Sequence, residues 1–320
     1  MVALLGLSAI AIDAGVLYAE RAQLQSGADA GALGVAQNCA STPTSADCSP
    51  SSPLAADLAN QNSLDGLSNI QSVAFSTPPN TGGKVTVTTG AQESGGEANR
   101  VSFFVADVIG IPTARVGATA SAAWGSPVAG PAAFPIAVSI CQVRDQSGVM
   151  QLLQLHGNNA NPDCNYGPSG QAVEGGFGGL AEDSPCSALI DTTTLESGSD
   201  VGNNPPSNCQ DLLNSWALDL SAGRKVTVLL PVFNQVTGTG SGAIYGIKTF
   251  AAFEVAGWKL GTPGLPYTFR NRAPDVPVAL ECREPCRGII GTFVEYVSLD
   301  TSFTMGALDP DGVTIIGMTD

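Results

Sequence analysis

The N-terminal segment constrains this chain most. From Val2 to Ile12 the residues are almost wholly apolar, and the first charge is Asp13. The following stretch, AGVLYAERAQLQSGADAGALGVAQN, keeps a helical period: Val16, Leu17, Leu24, Ala28, Ala32 and Val35 fall near one stripe, with Glu20, Gln23 and Asp29 elsewhere. One helix over residues 1–36 is expected, apolar at its start and amphipathic beyond. At about 1.5 Å per residue the apolar part covers only about 18 Å, short of the roughly 30 Å hydrocarbon core of a bilayer. Either it lies shallow, or the helix begins upstream of Met1. The second is favoured because no Lys or Arg precedes the apolar run to hold its cytoplasmic end. A cleaved signal peptide is the rival, but no small-residue cleavage site follows and the helical pattern continues. Gly27 and Gly31 either form a small-xxx-small pair that would let another helix approach closely, or are chance glycines in an alanine-rich helix.

The remaining composition narrows the class. With 28 acidic against 13 basic residues and a formal charge of -15, the chain repels phosphate backbones, so nucleic acid is excluded as a partner. Only 13% of residues are charged, and the abundant Gly, Ser, Thr, Asn and Pro suit short strands joined by turns rather than a helical bundle. There are eight cysteines, no Cys-x-x-Cys and one histidine, His156. That pattern fits disulfides in an oxidising, extracytoplasmic compartment better than zinc.

Asp13, Gly15, Tyr18, Arg21, Leu24, Gln25, Ala28, Asp29 and Ala30 together carry a resemblance. The run IDAGVLYAERAQLQSGADAGALGVAQ resembles the N-terminal signature of the TadE/TadG-like family: an apolar helix, Asp-x-Gly, an aromatic residue, Arg-x-x-Leu-Gln and an Ala-Asp-Ala segment. Later blocks are similar to family members from high-GC Gram-positive bacteria. They run in order from FPIAVSIC through GGFGGL, GNNPPSNC, VTVLLPVFNQV and FAAFEVAGWKL to GIIGTFVEYV. The resemblance implies a non-enzymatic component of the tight-adherence (Flp-type) pilus system. Such a protein would be single-pass in the cytoplasmic membrane with its bulk outside, its N-terminal helix meeting minor pilins or other assembly proteins.

Beyond the helix, an α+β fold is expected. Residues 37–125 should form a small α+β unit. It would contain a helical patch from Leu54 to Leu64, strands at Ile70–Phe75 and Lys84–Thr88, a helix holding Val101, Phe104, Val105, Val108 and Ile109, and a strand from Thr113 to Trp124. The prolines of residues 126–135 read as a linker. Residues 136–320 should form a β-rich, mainly antiparallel, sandwich- or barrel-like domain. Its strand-like runs are Ile136–Val143, Lys225–Val232, Tyr245–Phe253, Val255–Leu260 and Gly288–Leu299, and Gly238–Gly242 should be a hairpin turn. Cys39 should pair with Cys48 and Cys282 with Cys286. Two further bridges are expected among Cys141, Cys164, Cys186 and Cys209.

Chemistry is sparse. Any Ser-His-Asp or Cys-His arrangement must use His156, and there is no Gly-x-Ser-x-Gly elbow. Asn159, Asn161, Asp163 and Asn165, like Asp309 and Asp311, superficially resemble calcium loops but lack the glycine and distant glutamate in register. Asx-turns account for both. Asp219-Leu-Ser221 lacks the second serine of a metal-ion adhesion module. No catalytic residue, metal or cofactor is expected. The competing reading is an extracytoplasmic glycan or surface-polymer binding module using Trp124, Trp216, Trp258 or Tyr267 as stacking platforms. A secreted hydrolase would need carboxylates converging in a cleft.

Overall fold

A computed structural model of the chain describes residues 2–76, 82–144, 148–154, 164–168, 177–198, 208–238, 242–261, 263–298 and 302–319. It divides into two compact units, Met1–Gly125 with Ile316–Asp320, and Ser126–Ile315. The architecture is α+β, with few helices and β-rich sheets.

Unit 1 is organised by helix α1, Val2–Ser41. Its buried stripe is Leu24, Gly27, Ala28, Gly31, Ala32, Val35, Ala36 and Cys39. Helix α2, Pro53–Gln61, packs on that stripe. It starts where Ser52 Oγ accepts from the Ala55 N–H at 3.2 Å and Pro53 takes the first turn, where no N–H is required. The Cys39–Cys48 disulfide ties the end of α1 to the loop leading into α2. Strands β1 (Ser68–Phe75) and β2 (Gly83–Ala91) form an antiparallel pair, and β2 continues the ladder into the first half of β5 (Gly117–Ala132). Thr89 Oγ1 donates to the Leu24 carbonyl at 2.9 Å, fastening the sheet to the helix backbone. Between β2 and β5 a small hairpin is inserted, made of β3 (Arg100–Ser102) and β4 (Thr113–Arg115).

That hairpin corrects an expectation. Val101, Phe104, Val105, Val108 and Ile109 share helical spacing, yet only Ala106–Ile109 is helical, as one 3-10 turn ended by left-handed Gly110. Pro112 then forces the chain back to extended conformation.

In unit 2, the second half of β5 pairs antiparallel with β9 (Ala188–Asp191) and β16 (Thr304–Gly306). Residues 126–132 are therefore strand, not linker. Prolines are tolerated there because the partners are short and the register shifts beside Pro127, between Thr304 and Met305. The main sheet runs in the order β7 (Met150–Gln154), β14 (Gly288–Val294), β12 (Ile244–Lys259), β11 (Val226–Thr237), β6 (Ile136–Ser139), β8 (Phe177–Gly179). Pairings along it are antiparallel except β11 with β6. Strands β10 (Leu195–Ser197) and β13 (Thr268–Phe269) pair with β12, and β15 (Tyr296–Ser298) follows β14; the last strand, β17 (Thr314–Thr319), belongs mostly to unit 1. β12 is one strand where two runs are expected, with a register shift between Val255 and Gly257. Residues 239–241, at the expected hairpin turn, lie outside the described residues, but Thr237 pairs with Ile244 across it.

The short helix α3, Ile140–Val143, follows β6. Helix α4, Gln210–Ser221, buries Leu213, Trp216, Ala217 and Leu220. Trp216 meets Phe134 and Trp258 with ring centroids 5.4 and 6.1 Å apart. Bridges Cys141–Cys164 and Cys186–Cys209 resolve the pairing left open by the sequence, and Cys282–Cys286 closes a small loop. Lys259, 1% exposed, fastens that loop: its Nζ donates to the Cys286 carbonyl at 3.0 Å and pairs with Glu284 Oε1 at 2.7 Å.

Candidate functional site

The residues singled out on α1 separate into two groups. Those from Leu24 onward work within the chain. Leu24 and Ala28 are in the core of unit 1. Gln25 Nε2 donates to Asp29 Oδ1 at 2.8 Å, one helical turn on, and to the Thr119 carbonyl at 3.4 Å. Ala30 is half-buried. Gly27 and Gly31 face α2: a Cβ on Gly27 would sit 3.2 Å from the Ala59 Cα, and one on Gly31 3.5 Å from the Ala55 carbonyl oxygen. The close-approach pair is thus occupied by a helix of the same chain.

The earlier group lies on the free part of the helix. Ile12, Val16 and Tyr18 are exposed, Tyr18 by 80%. Arg21 is exposed, and a Cβ on Gly15 would meet nothing within 4 Å.

Asp13 differs from its neighbours. It is only 7% exposed, and its carboxylate accepts from three successive backbone N–H groups: Phe104 to Oδ1 at 3.0 Å, Val105 to Oδ2 at 3.2 Å and Ala106 to Oδ2 at 2.7 Å. Eighteen residues, five turns, separate Asp13 from Gly31, so both project from the same side of the helix. The first carboxylate after the apolar run therefore caps the 3-10 turn of the β3–β4 hairpin. Burial pushes its carboxyl up, but the N–H groups of Ala106, Val105 and Phe104 outweigh this and hold it below the ordinary carboxylate value. Sequence reasoning missed this clamp because its donors are backbone groups. Gly110 and Pro112 were the only signal that the region is a turn and not a helix.

The loop that Asp13 holds is apolar at its surface. Phe104, Val108, Ile109 and Ile111 are 85, 84, 77 and 52% exposed. Ile12 and Val16 on α1 add to the exposed apolar residues around the clamp.

Elsewhere the chemistry is self-satisfied. Unit 2 has an open cleft of about 310 Å³ lined by Arg144, Glu295, Tyr296, Asp309 and Asp311 among others. Lys248 Nζ binds Asp309 Oδ1 at 2.6 Å and Asp311 Oδ2 at 2.9 Å, and Arg144 lies 3.6 Å from Asp311 Oδ1. The Asp311 N–H donates to Asp309 Oδ1 at 2.9 Å, an Asx-turn. Burial pushes the Lys248 ammonium down, and hydrogen bonds to Asp309 and Asp311 more than reverse it. Among the described residues no cluster of His, Cys, Asp and Glu could hold a metal ion. His156, Asn159, Asn161 and Asp163 lie outside them.

Of the stacking platforms a binding module would use, the three tryptophans are buried and Tyr267 is half-buried. Trp124, Trp216 and Trp258 are 1, 7 and 0% exposed. Trp258 Nε1 donates to the Pro266 carbonyl at 2.7 Å, and the Tyr267 hydroxyl accepts from Gln210 Nε2 at 2.7 Å. The tryptophans are core residues, and the glycan-binding reading loses them.

Among the described residues no helix is long and apolar enough to cross a membrane. No curated protein and no solved structure matches the chain. Residues 1–38, the helix that carries the Asp13 clamp, match the Tad family model of Flp pilus-assembly TadE/G-like proteins.

Proposed function

We propose that this chain is a non-enzymatic component of a Flp/Tad-type pilus assembly system. The apolar end of α1 is seated in the cytoplasmic membrane, and the two disulfide-bonded units lie outside the cytoplasm. The observation that carries the reading is the family match over residues 1–38, the helix whose second half is built into unit 1. The four disulfides support an oxidising compartment. Because α2 and β2 already cover the Gly27 and Gly31 side of α1, a pilus partner would meet the remaining exposed face, at Gly15, Tyr18 and Arg21. That arrangement suits an assembly factor or minor pilin better than a filament subunit buried along its whole helix.

The test is deletion of the gene with complementation by the full chain, scoring surface pili, alongside fractionation and non-reducing gel mobility. Loss of pili on deletion, recovery in the membrane fraction and oxidised cysteines are expected. Normal pili after deletion, or cytosolic recovery with reduced thiols, would sink the proposal.

A further inference from the structure

We propose that the Phe103–Pro112 loop is a second membrane contact, a shallow apolar foot that inserts into the lipid interface beside the apolar end of α1. The inference rests on the anchoring proposed above and extends it to a segment far along the chain.

Three features lead to it. The loop exposes Phe104, Val108, Ile109 and Ile111, while the hairpin that carries it has only three residues per strand. A small hairpin leaving four large apolar side chains in water is unusual, since apolar residues so arranged ordinarily mark a contact surface. Second, Asp13 fixes the position of this surface. The carboxylate that ends the apolar run of α1 holds the N–H groups of Phe104, Val105 and Ala106, so the loop lies at the level where the helix leaves its apolar stretch. Any bilayer that receives Val2–Ile12 comes up against the loop. Continuity with that apolar segment selects lipid as the occupant over a soluble partner.

Third, the charges delimit the depth. Between Arg100 and Arg115 the only ionisable residue is Asp107, which is exposed. Arg100 and Arg115 face each other in register at the base of the hairpin, three residues back from the loop, or about 10 Å. Arg100 is also paired with Glu97 at 3.0 Å. A charged belt at the base and a single carboxylate in the tip permit entry to the headgroup and acyl boundary but not deeper, the depth at which interfacial segments lie. Tyr18, five residues past Asp13 on α1, lies on the same helix at a height suited to an interfacial aromatic.

The test uses the full chain reconstituted with phosphatidylcholine vesicles, with and without bromine-labelled acyl chains. The three native tryptophans are buried and give a constant background. Val108→Trp places a reporter in the loop. Leu64→Trp places one at an equally exposed position whose N–H is held by Gln23, about 15 Å along α1 from Asp13. Flotation with the vesicles reads the anchor independently.

Flotation with roughly twofold quenching of the Val108→Trp signal by brominated lipid, and none for Leu64→Trp, is expected. Flotation without quenching at either position overturns the foot and leaves the anchor standing. A blue-shifted Val108→Trp signal that brominated lipid does not quench also overturns it, and assigns the loop to a second copy or another protein. Failure to float overturns the anchor and the foot together. Should Val108→Trp misfold, Ile109→Trp serves as the alternative reporter.

Discussion

The Asp13 carboxylate accepts from the Ala106 N–H at 2.7 Å across 93 residues of chain, joining the start of α1 to the tip of an inserted hairpin. Its strength depends on the carboxylate being charged, because the three donors are backbone dipoles pointing at one anion.

Replacing Asp13 by Asn should lower the thermal midpoint of the full chain at neutral pH. The folded-state pKa is depressed, so the stabilisation is fully present above the unfolded carboxylate value of about 3.9 and is lost as pH falls through the lower folded value. The difference between native chain and Asp13→Asn should therefore shrink on acidification below pH of about 4. Melting curves by circular dichroism across that range check it, and a gap that stays constant down to strong acid refutes the clamp.

The packing of α1 on α2 makes a steric prediction. Gly27→Leu drives a branched side chain into the Ala59 backbone, and should cost about 1–3 kcal/mol in urea unfolding. Tyr18→Ala, at an 80% exposed position, should change stability by no more than about 0.5 kcal/mol while reducing the number of surface pili. If Tyr18→Ala leaves piliation unchanged, the exposed face of α1 is not where partners bind.

These residues also show what could be read from sequence. The buried stripe through Leu24, Ala28 and Val35 was legible because a 3.6-residue period survives in any amphipathic helix. Gly27 and Gly31 allowed a close neighbour without requiring one, and spacing alone cannot say whether such a neighbour is another protein or, as here, α2. The Val101–Ile109 segment misled for a physical reason. Its apolar residues fall at helical intervals, yet Phe104, Val108 and Ile109 face outward, so their spacing reflects a surface and not a core stripe. Within the linker expected at residues 126–135, residues 126–132 are strand instead: Pro127 and Pro131 each lack one donor, a cost a strand with short partners can bear. In unit 2 the alternating runs that became β11 and β12 were legible, whereas the role of Lys259 was not, since its partners Glu284 and the Cys286 carbonyl are brought to it only by the Cys282–Cys286 loop.

The tryptophan environments give a direct check on unit 2. Trp216 and Trp258 meet edge to face, and Trp258 Nε1 is hydrogen-bonded. Intrinsic emission should be blue-shifted, weakly quenched by acrylamide and unchanged by added glycans. Trp258→Ala should cost about 3–5 kcal/mol, the penalty of emptying a large core site. Emission that shifts on glycan addition would restore the binding-module reading.

Lys248 supplies the last test, because its surroundings separate a structural ion network from a ligand site. Its ammonium is bracketed by Asp309 and Asp311, and the Asp311 side chain is only 9% exposed. Lys248→Met leaves two neighbouring carboxylates without their main cation, which should destabilise unit 2 by about 1–3 kcal/mol. The pH dependence has the opposite sense to that of Asp13. A lysine whose folded pKa is raised contributes fully below its unfolded value of about 10.4, and the contribution is lost as pH rises through the folded value. The variant's deficit should thus persist at neutral pH and fade in strong alkali. Combining Lys248→Met with Asp309→Asn and Asp311→Asn should recover much of the loss, since the repulsion left by removing the cation disappears with the carboxylates. If the triple variant is no more stable than Lys248→Met in urea titrations, the three side chains do not form one network and the carboxylates bordering the cleft require another explanation.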